Sequence, residues 1–239
     1  LIIYLVISAV FIGCTPILSI DASTQSVYHF SDTDKNISLL DISETFGTYD
    51  GSFVLYDNNL DSWKIYDLEE ATKRIPPEST YKIYDALLGL ESGIITPEHS
   101  SMTWNGDAFP FPSWEADQDL NSAMQNSVNW YFQAIDSQLG INRVQEFLNK
   151  IEYGNQTTSS NLDLYWSDFS LKISPLEQVT LLKKFNTNEF HLNSQNVFSV
   201  KNAIKIASTP NGNFYGKTGT GRVNGQDING WFIGYVETS

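Results

Sequence analysis

Cysteine and histidine are scarce in this chain, which narrows the chemistry open to it. The only cysteine is Cys14, so no intrachain disulfide can form. The three histidines, His29, His99 and His191, are scattered and no H-E-x-x-H motif occurs. We therefore predict no metal site and no metal cofactor.

Positive charge is also scarce. The 239 residues include 14 Lys and Arg against 28 Asp and Glu, which gives a formal net charge of −14. This balance disfavours nucleic acid and anionic lipid surfaces as partners, although an acidic surface is also typical of any soluble domain. The length allows one sizeable domain with an ample core.

The longest apolar run lies at the start of the chain. Residues 1–20, LIIYLVISAVFIGCTPILSI, are uncharged and almost wholly apolar, and a spanning helix needs about 20 such residues. We predict a transmembrane helix over 1–20, with the h-region of a signal peptide as the alternative. FIGC loosely resembles a lipoprotein cleavage site at Cys14. Position 1 is not methionine, so we expect a piece of a longer protein, with a polar tether over 21–46 and a domain outside the cytoplasm.

Periodicity predicts an α+β domain over 47–239. Strands are expected near both ends, at 51–57, 62–67, 214–221 and 230–237, the last two joined by a turn containing Asn224-Gly225 and Asn229-Gly230. Helices are expected between them, at 79–92, 119–140 with a break near Ser127, 141–151, 174–185 and 193–206. Ser174, Pro175 and Glu177 form a capping-box pattern. This order favours a mostly antiparallel sheet in which both ends of the domain meet.

Ser79 and Lys82 lie three residues apart in PPESTYKIYDALLGLESG, residues 76–93. On a helix their Cβ atoms would be about 5–6 Å apart, close enough for a hydrogen bond between hydroxyl and amine. Free N–H groups at a helix start can hold an oxyanion. Burial among the apolar residues that follow favours the neutral amine, which can take a proton from Ser79. Alone, S-x-x-K is more often a helix cap followed by a surface lysine than a catalytic pair.

Two further polar elements follow along the chain. Ser127-Val128-Asn129 lies at the predicted helix junction, where its hydroxyl could face a pocket or could simply cap a helix. Lys217-Thr218-Gly219-Thr220 lies in a predicted strand. Lysine and threonine there suit a substrate carboxylate, and glycine lets a ligand approach the backbone. The alternative is an ordinary charged edge strand.

S-x-x-K, then S-x-N, then K-T-G, in this order, is the motif set of serine penicillin-recognising proteins. Over 47–239 the chain resembles the serine β-lactamase/penicillin-binding superfamily. STYK, YGN at 153–155, YW at 165–166 and KTGTG resemble its class D branch. AMQNSVNWYF, MTWNGD and YGKTGTGRVNGQDINGWFIGY are most similar to the extracellular sensor domain of BlaR/MecR-type β-lactam receptors. The resemblance implies a β-lactamase/transpeptidase-like fold, with a mostly antiparallel sheet flanked by helices.

The resemblance implies roles around the nucleophile. Ser79 matches the serine that opens the β-lactam ring and becomes acylated. Lys82 matches the general base, which in this branch can be N-carboxylated by carbon dioxide. Trp166 matches the loop tryptophan whose indole N–H steadies the modified lysine. No other cofactor is implied.

The resemblance also implies how the drug is held. Ser127 matches the hydroxyl that relays a proton to the lactam nitrogen. Lys217 and Thr218 match residues that bind the drug carboxylate, beside Gly219 on the same strand. The N–H of Thr220 matches one half of the oxyanion hole, and the N–H of the nucleophile matches the other.

Two departures from the class D pattern matter. Class D hydrolases usually carry an apolar residue where this chain has Asn129. An amide there would hydrogen-bond the free amine and disfavour its carboxylation, so we predict fast acylation and slow deacylation. The family also continues past GWFIGYVETS with a strand and a C-terminal helix. We therefore expect a truncated domain whose sheet lacks an element and exposes an edge.

The predicted function is a β-lactam receptor in the bacterial cell membrane. It would pass the acylation signal through a single span at 1–20 to a cytoplasmic metalloprotease module, upstream in the same full-length chain, that induces resistance genes. The alternative is a class D β-lactamase, secreted or lipid-anchored at Cys14. A peptidoglycan transpeptidase is disfavoured, because its larger domains have no room in this chain.

Overall fold

A seven-stranded sheet forms the centre of the computed structural model, which describes residues 2–10 and 36–238. Its strands are β1 (Ile2–Val10), β2 (Ile37–Leu39), β3 (Asp50–Asp57), β4 (Ser62–Tyr66), β5 (Lys205–Thr209), β6 (Gly212–Val223) and β7 (Gln226–Thr238). Their order across the sheet is β2-β4-β3-β1-β7-β6-β5. Within the described residues only the β2–β4 pair is parallel, so the prediction of a mostly antiparallel sheet is confirmed.

Helices flank this sheet. They are α1 (Ser43–Phe46), α2 (Leu68–Thr72), α3 (Lys82–Glu91), α4 (Leu120–Gln125), α5 (Asn129–Leu139), α6 (Ile141–Ile151), α7 (Pro175–Thr187) and α8 (Ser194–Ala203). α7 packs against β1 and β3, whereas α3 lies among α4, α5 and α8. The predicted capping box at the start of α7 is confirmed, since Ser174 and Glu177 each accept the other's backbone N–H.

The predicted membrane helix over 1–20 is wrong for residues 2–10, which form β1 between β3 and β7. A continuous apolar run fits a central sheet strand as well as a membrane span, and residues 1–10 contain five Ile and Val, which favour strands. Because β1 pairs with β7, β7 is not an edge strand of the sheet. The expectation that the sheet ends in an exposed edge after the last strand is therefore wrong. Within 2–10 and 36–238, no helix is long and apolar enough to cross a membrane.

The predicted tether over 21–46 is only partly covered by the structure. Residues 11–35, which include Cys14, lie outside the described residues. The part that is described is not irregular, because β2 pairs in parallel with β4 and α1 follows. The sequence of this segment gives no strand pattern, because a three-residue edge strand buries few side chains and needs few apolar residues.

Two other features differ from the prediction. The helix expected over 193–206 ends at Ala203, and the exposed edge strand β5 begins two residues later. The Asn224-Gly225 turn is confirmed, with positive φ at both residues. Asn229-Gly230, by contrast, lies inside β7. Cross-strand pairing with β6 overrides the turn preference of that second dipeptide.

The helix expected over 79–92 begins as a tight 3-10 turn at Glu78–Tyr81 and continues as α3. Every residue from Lys82 to Leu90 is buried, as the apolar run predicted. The predicted break near Ser127 is confirmed as the gap between α4 and α5. These two features bring the start of α3 and the α4–α5 junction together at β6.

Candidate active site

Ser79 and Lys82 meet at the start of α3. Pro76 and Pro77 precede the 3-10 turn that carries Ser79, and proline is suited to a helix start because it lacks an N–H. Lys82 Nζ lies 3.0 Å from Ser79 Oγ. Ser79 is partly exposed, whereas the Lys82 side chain is only 1% exposed. A hydroxyl open to a ligand is thus bonded to a desolvated amine.

Among the described residues, the Lys82 amine has one further hydrogen-bond partner and lies near two aromatic rings. It donates a hydrogen bond to Asn129 Oδ1 at 2.7 Å, which confirms the predicted contact between this amide and the amine. Its nitrogen lies 5.6 Å from the centre of the Phe132 ring and 5.5 Å from that of Trp166. The amine is thus buried beside aromatic rings, and its hydrogen-bond acceptors in the described part of the chain are Ser79 Oγ and Asn129 Oδ1.

The pKa of Lys82 is lowered to about 7. Burial is the main cause, and the nearby charge of Lys217 acts in the same direction. Asp85 and Glu78 oppose the shift. Near neutral pH a large fraction of the amine is therefore uncharged, as a general base for Ser79 requires.

Ser127 and Lys217 form a second hydroxyl–amine pair. Ser127 stands at the α4–α5 junction with φ of 55°, a left-handed conformation that turns it out of the helical path. Lys217 Nζ, on β6, donates to Ser127 Oγ at 3.0 Å and to Thr218 O at 2.9 Å. Burial lowers the pKa of Lys217 to about 8. A hydroxyl held by a cation is well placed to pass a proton on.

β6 runs close beside the nucleophile. A Cβ on Gly219 would lie 3.1 Å from Pro77 O and 3.2 Å from Ser79 N, so a larger residue there would crowd the backbone beside the nucleophile. Thr218 and Thr220, on either side of it, are exposed. The backbone of this strand therefore borders the space in front of Ser79, where the predicted oxyanion hole would be.

A groove of about 380 Å³ adjoins Lys217 and Thr218. Met124, Ile204 and Phe232 line it with apolar surface. It is wide enough for a small molecule whose carboxylate contacts the lysine and threonine.

The structure brings together the predicted residues Ser79, Lys82, Ser127, Asn129, Trp166, Lys217, Thr218, Gly219 and Thr220. Sequence reasoning missed three buried acids, Glu78, Asp85 and Asp136. Burial raises the pKa of Asp85, and Asp136 close by raises it further. The available signal was an aspartate inside the apolar run that follows Lys82.

A mixed sheet with helices on its faces, two serine–lysine pairs and a glycine-lined strand beside one serine together define the β-lactamase/transpeptidase class of protein. Residues 46–239 match the Transpeptidase family, described as the penicillin binding protein transpeptidase domain, and the chain belongs to this family.

Similarity is high to a receptor of this class. The chain is 45% identical to Regulatory protein BlaR1 of Bacillus licheniformis over 237 residues, which cover 98% of this chain and 39% of that protein. The solved C-terminal domain of the Bacillus licheniformis BlaR penicillin-receptor is 40% identical with a TM-score of 0.78, covering 84% of this chain and 88% of that one. A class D β-lactamase from Bacillus subtilis is 31% identical with a TM-score of 0.73, covering 84% and 89%. The chain spans about two fifths of the length of the regulatory protein.

Proposed function

We propose that this domain is a β-lactam receptor in which Ser79 becomes acylated and the acyl group persists. The observation that carries the proposal is the pair of contacts at Lys82 Nζ, 3.0 Å from Ser79 Oγ and 2.7 Å from Asn129 Oδ1. The first contact activates the nucleophile. The second contact keeps the same amine hydrogen-bonded after acylation and so disfavours its carboxylation. The similarity to a structure named as a penicillin-receptor supports this assignment.

Acylation needs one proton to move from the serine to the lactam nitrogen. Neutral Lys82 takes the proton from Ser79 Oγ while this oxygen attacks the lactam carbonyl carbon, and the carbon–nitrogen bond of the ring then breaks. Ser127 hands a proton to the leaving nitrogen and is reprotonated from Lys82, with Lys217 holding it in place. The product is an ester on Ser79 and a ring-opened amine.

The positive side chain of Lys217 and the hydroxyl of Thr218 would hold the carboxylate of the drug, at the mouth of the adjoining groove. The N–H groups of Ser79 and Thr220 would stabilise the oxyanion, since β6 passes within close contact of Ser79 N.

Persistence of the ester follows from the amide beside the amine. Hydrolysis needs a base for water, which a carboxylated lysine supplies in class D enzymes. Carbon dioxide would turn the Lys82 amine into an anionic carbamate, whose oxygens would face the carbonyl oxygen of Asn129. The free amine instead donates a hydrogen bond to that oxygen. We propose that Lys82 therefore stays uncarboxylated after acylation, and that Trp166 serves only as an apolar wall of its pocket.

A chromogenic cephalosporin followed by intact-mass measurement tests the proposal. A one-to-one adduct on Ser79 that lasts for hours supports a receptor, and Ser79→Ala should abolish it. Continuous colour development would instead favour a class D β-lactamase. That second candidate is supported by the similarity to the Bacillus subtilis class D enzyme.

We also propose that the domain lies outside a bacterial cell, attached to a membrane protein whose cytoplasmic metalloprotease module receives the signal. The support is that the similar regulatory protein is about two and a half times longer than the matched segment. Penicillin should induce a reporter of resistance-gene expression in cells that carry the full-length protein. The same cells with Ser79→Ala should show no induction, whereas induction that survives this change would contradict the proposal.

A further inference from the structure

The residue directly before the nucleophile is a buried acid that the proposed acylation chemistry does not use. Glu78 is 5% exposed and has φ of 52°, a left-handed conformation that L side chains rarely adopt. Its backbone N–H donates to Trp166 O at 3.0 Å. Such a position is costly for both backbone and side chain, which suggests that the surroundings hold it for a reason.

The carboxyl group of Glu78 lies beside the amide oxygen of Asn229, which has no hydrogen-bond donor among the described residues. A Cβ on Gly221 would lie 1.8 Å from Asn229 Oδ1 and 2.6 Å from Glu78 Oε1, so both oxygens occupy the small space above this glycine. Asn229 Nδ2 donates to Pro76 O at 3.4 Å. Asn229 Oδ1 is buried and has no hydrogen-bond donor among the groups that the structure describes. Two adjacent oxygen acceptors repel each other, whereas a protonated carboxyl group can donate to the amide oxygen.

We propose that Glu78 acts as a neutral carboxylic acid which donates a hydrogen bond to Asn229 Oδ1 and so positions Ser79 against β6. This inference rests on the proposed acylation of Ser79. Glu78 is a positioning residue, because it lies behind the nucleophile and acts through the backbone of the 3-10 turn. Asn229 in turn donates to Pro76 O, so the hydrogen bond would tie β7 to two residues, Pro76 and Glu78, that closely precede Ser79.

Ionisation of Glu78 would break this arrangement. Burial raises its pKa to about 8, and the charge of Lys82 on α3 acts in the opposite direction. β6 and β7 carry three other ionisable groups near this end of the sheet, Lys217, Arg222 and Asp227, of which the last two pair with each other at the surface. Above the pKa, a carboxylate would face an amide oxygen with no room to move away, because Gly219 and Gly221 bring β6 into close contact.

The pH dependence of acylation in wild type and Glu78→Gln tests the inference. Glutamine keeps the shape, can donate to Asn229 Oδ1 and never ionises. With a pKa of about 8, the neutral fraction of Glu78 falls about tenfold between pH 7 and pH 9. The acylation rate of Glu78→Gln, divided by that of wild type, should therefore rise up to about tenfold over this range. Lys217 titrates in both proteins, so its effect cancels in the ratio. The charge of Glu78 raises the pKa of Lys82, so the Lys82 midpoint is measured in each protein and the ratio is compared above both midpoints.

Glu146→Gln, at an exposed position on α6, is the matched control and should give a constant ratio. A constant ratio for Glu78→Gln would overturn the inference, and so would slow acylation by this variant at every pH.

Thermal unfolding without any β-lactam separates this inference from the proposed function. A neutral Glu78 in the folded state, against an ordinary pKa of 4.5 in the unfolded chain, means that the unfolded state binds fewer protons between these values. Stability is then lost as pH rises from about 4.5 to 8. The Tm of Glu78→Gln minus that of wild type should grow over this range and level off above it. A constant difference would refute the neutral acid, whereas a growing difference without any acylation would refute only the receptor.

Discussion

Replacement of Asn129 by valine should convert slow deacylation into turnover. The amide oxygen accepts a hydrogen bond from Lys82 at 2.7 Å, and hydrogen bonds to charged groups contribute about 1.5–3 kcal/mol. One pKa unit corresponds to about 1.4 kcal/mol, so loss of this bond should lower the pKa of Lys82 by about one to two units. The starting value is about 7. The amine of the variant would thus be almost wholly neutral at pH 7.

Two measurements follow from this shift. The midpoint of the pH profile of acylation should move to lower pH, because the Lys82 amine of the variant loses its proton at a lower pH. The neutral amine should also react with carbon dioxide, detectable as a carbamate signal by NMR with ¹³C-labelled bicarbonate, and hydrolysis of a chromogenic cephalosporin should become continuous. Asn142→Val, at an exposed position on α6, is the matched control. The reasoning fails if Asn129→Val gains no turnover and keeps the wild-type midpoint.

Three further outcomes are expected. Acylation of the wild type should fall about tenfold per unit below pH 7, because Lys82 then gains its proton, and a flat profile in stopped-flow measurements would contradict its role as base. Ser127→Ala should slow acylation about 10²- to 10⁴-fold with an unchanged circular dichroism spectrum, as loss of a proton relay predicts, and wild-type rates would exclude that relay. Ser174→Ala should lower the free energy of unfolding by about 1 kcal/mol in urea, because α7 loses its N-cap; an unchanged midpoint would show that the cap adds nothing.

Much of the site was predictable because its parts are local in the chain. Ser79 and Lys82 are one helical turn apart, so the sequence alone places hydroxyl and amine together. The break before Asn129, the capping box of α7 and the Asn224-Gly225 turn are likewise short-range signals. In each case the preferences of three to five neighbouring residues decide the conformation.

The rest was decided by contacts between distant segments. The same apolar pattern suits a membrane helix and a strand paired on both sides, and pairing with β3 and β7 makes residues 2–10 a strand. The proximity of Asn129 to Lys82 was anticipated only from the family resemblance, since 47 residues separate them. Nothing in the sequence indicated that Glu78 and Asn229 share one space.

The sequence by itself therefore determined which residues carry the chemistry and in what order they occur. The tertiary structure decided the protonation states of the groups that carry the chemistry. Burial sets whether the Lys82 amine and the Glu78 carboxyl are charged, and burial depends on packing of the whole domain around them.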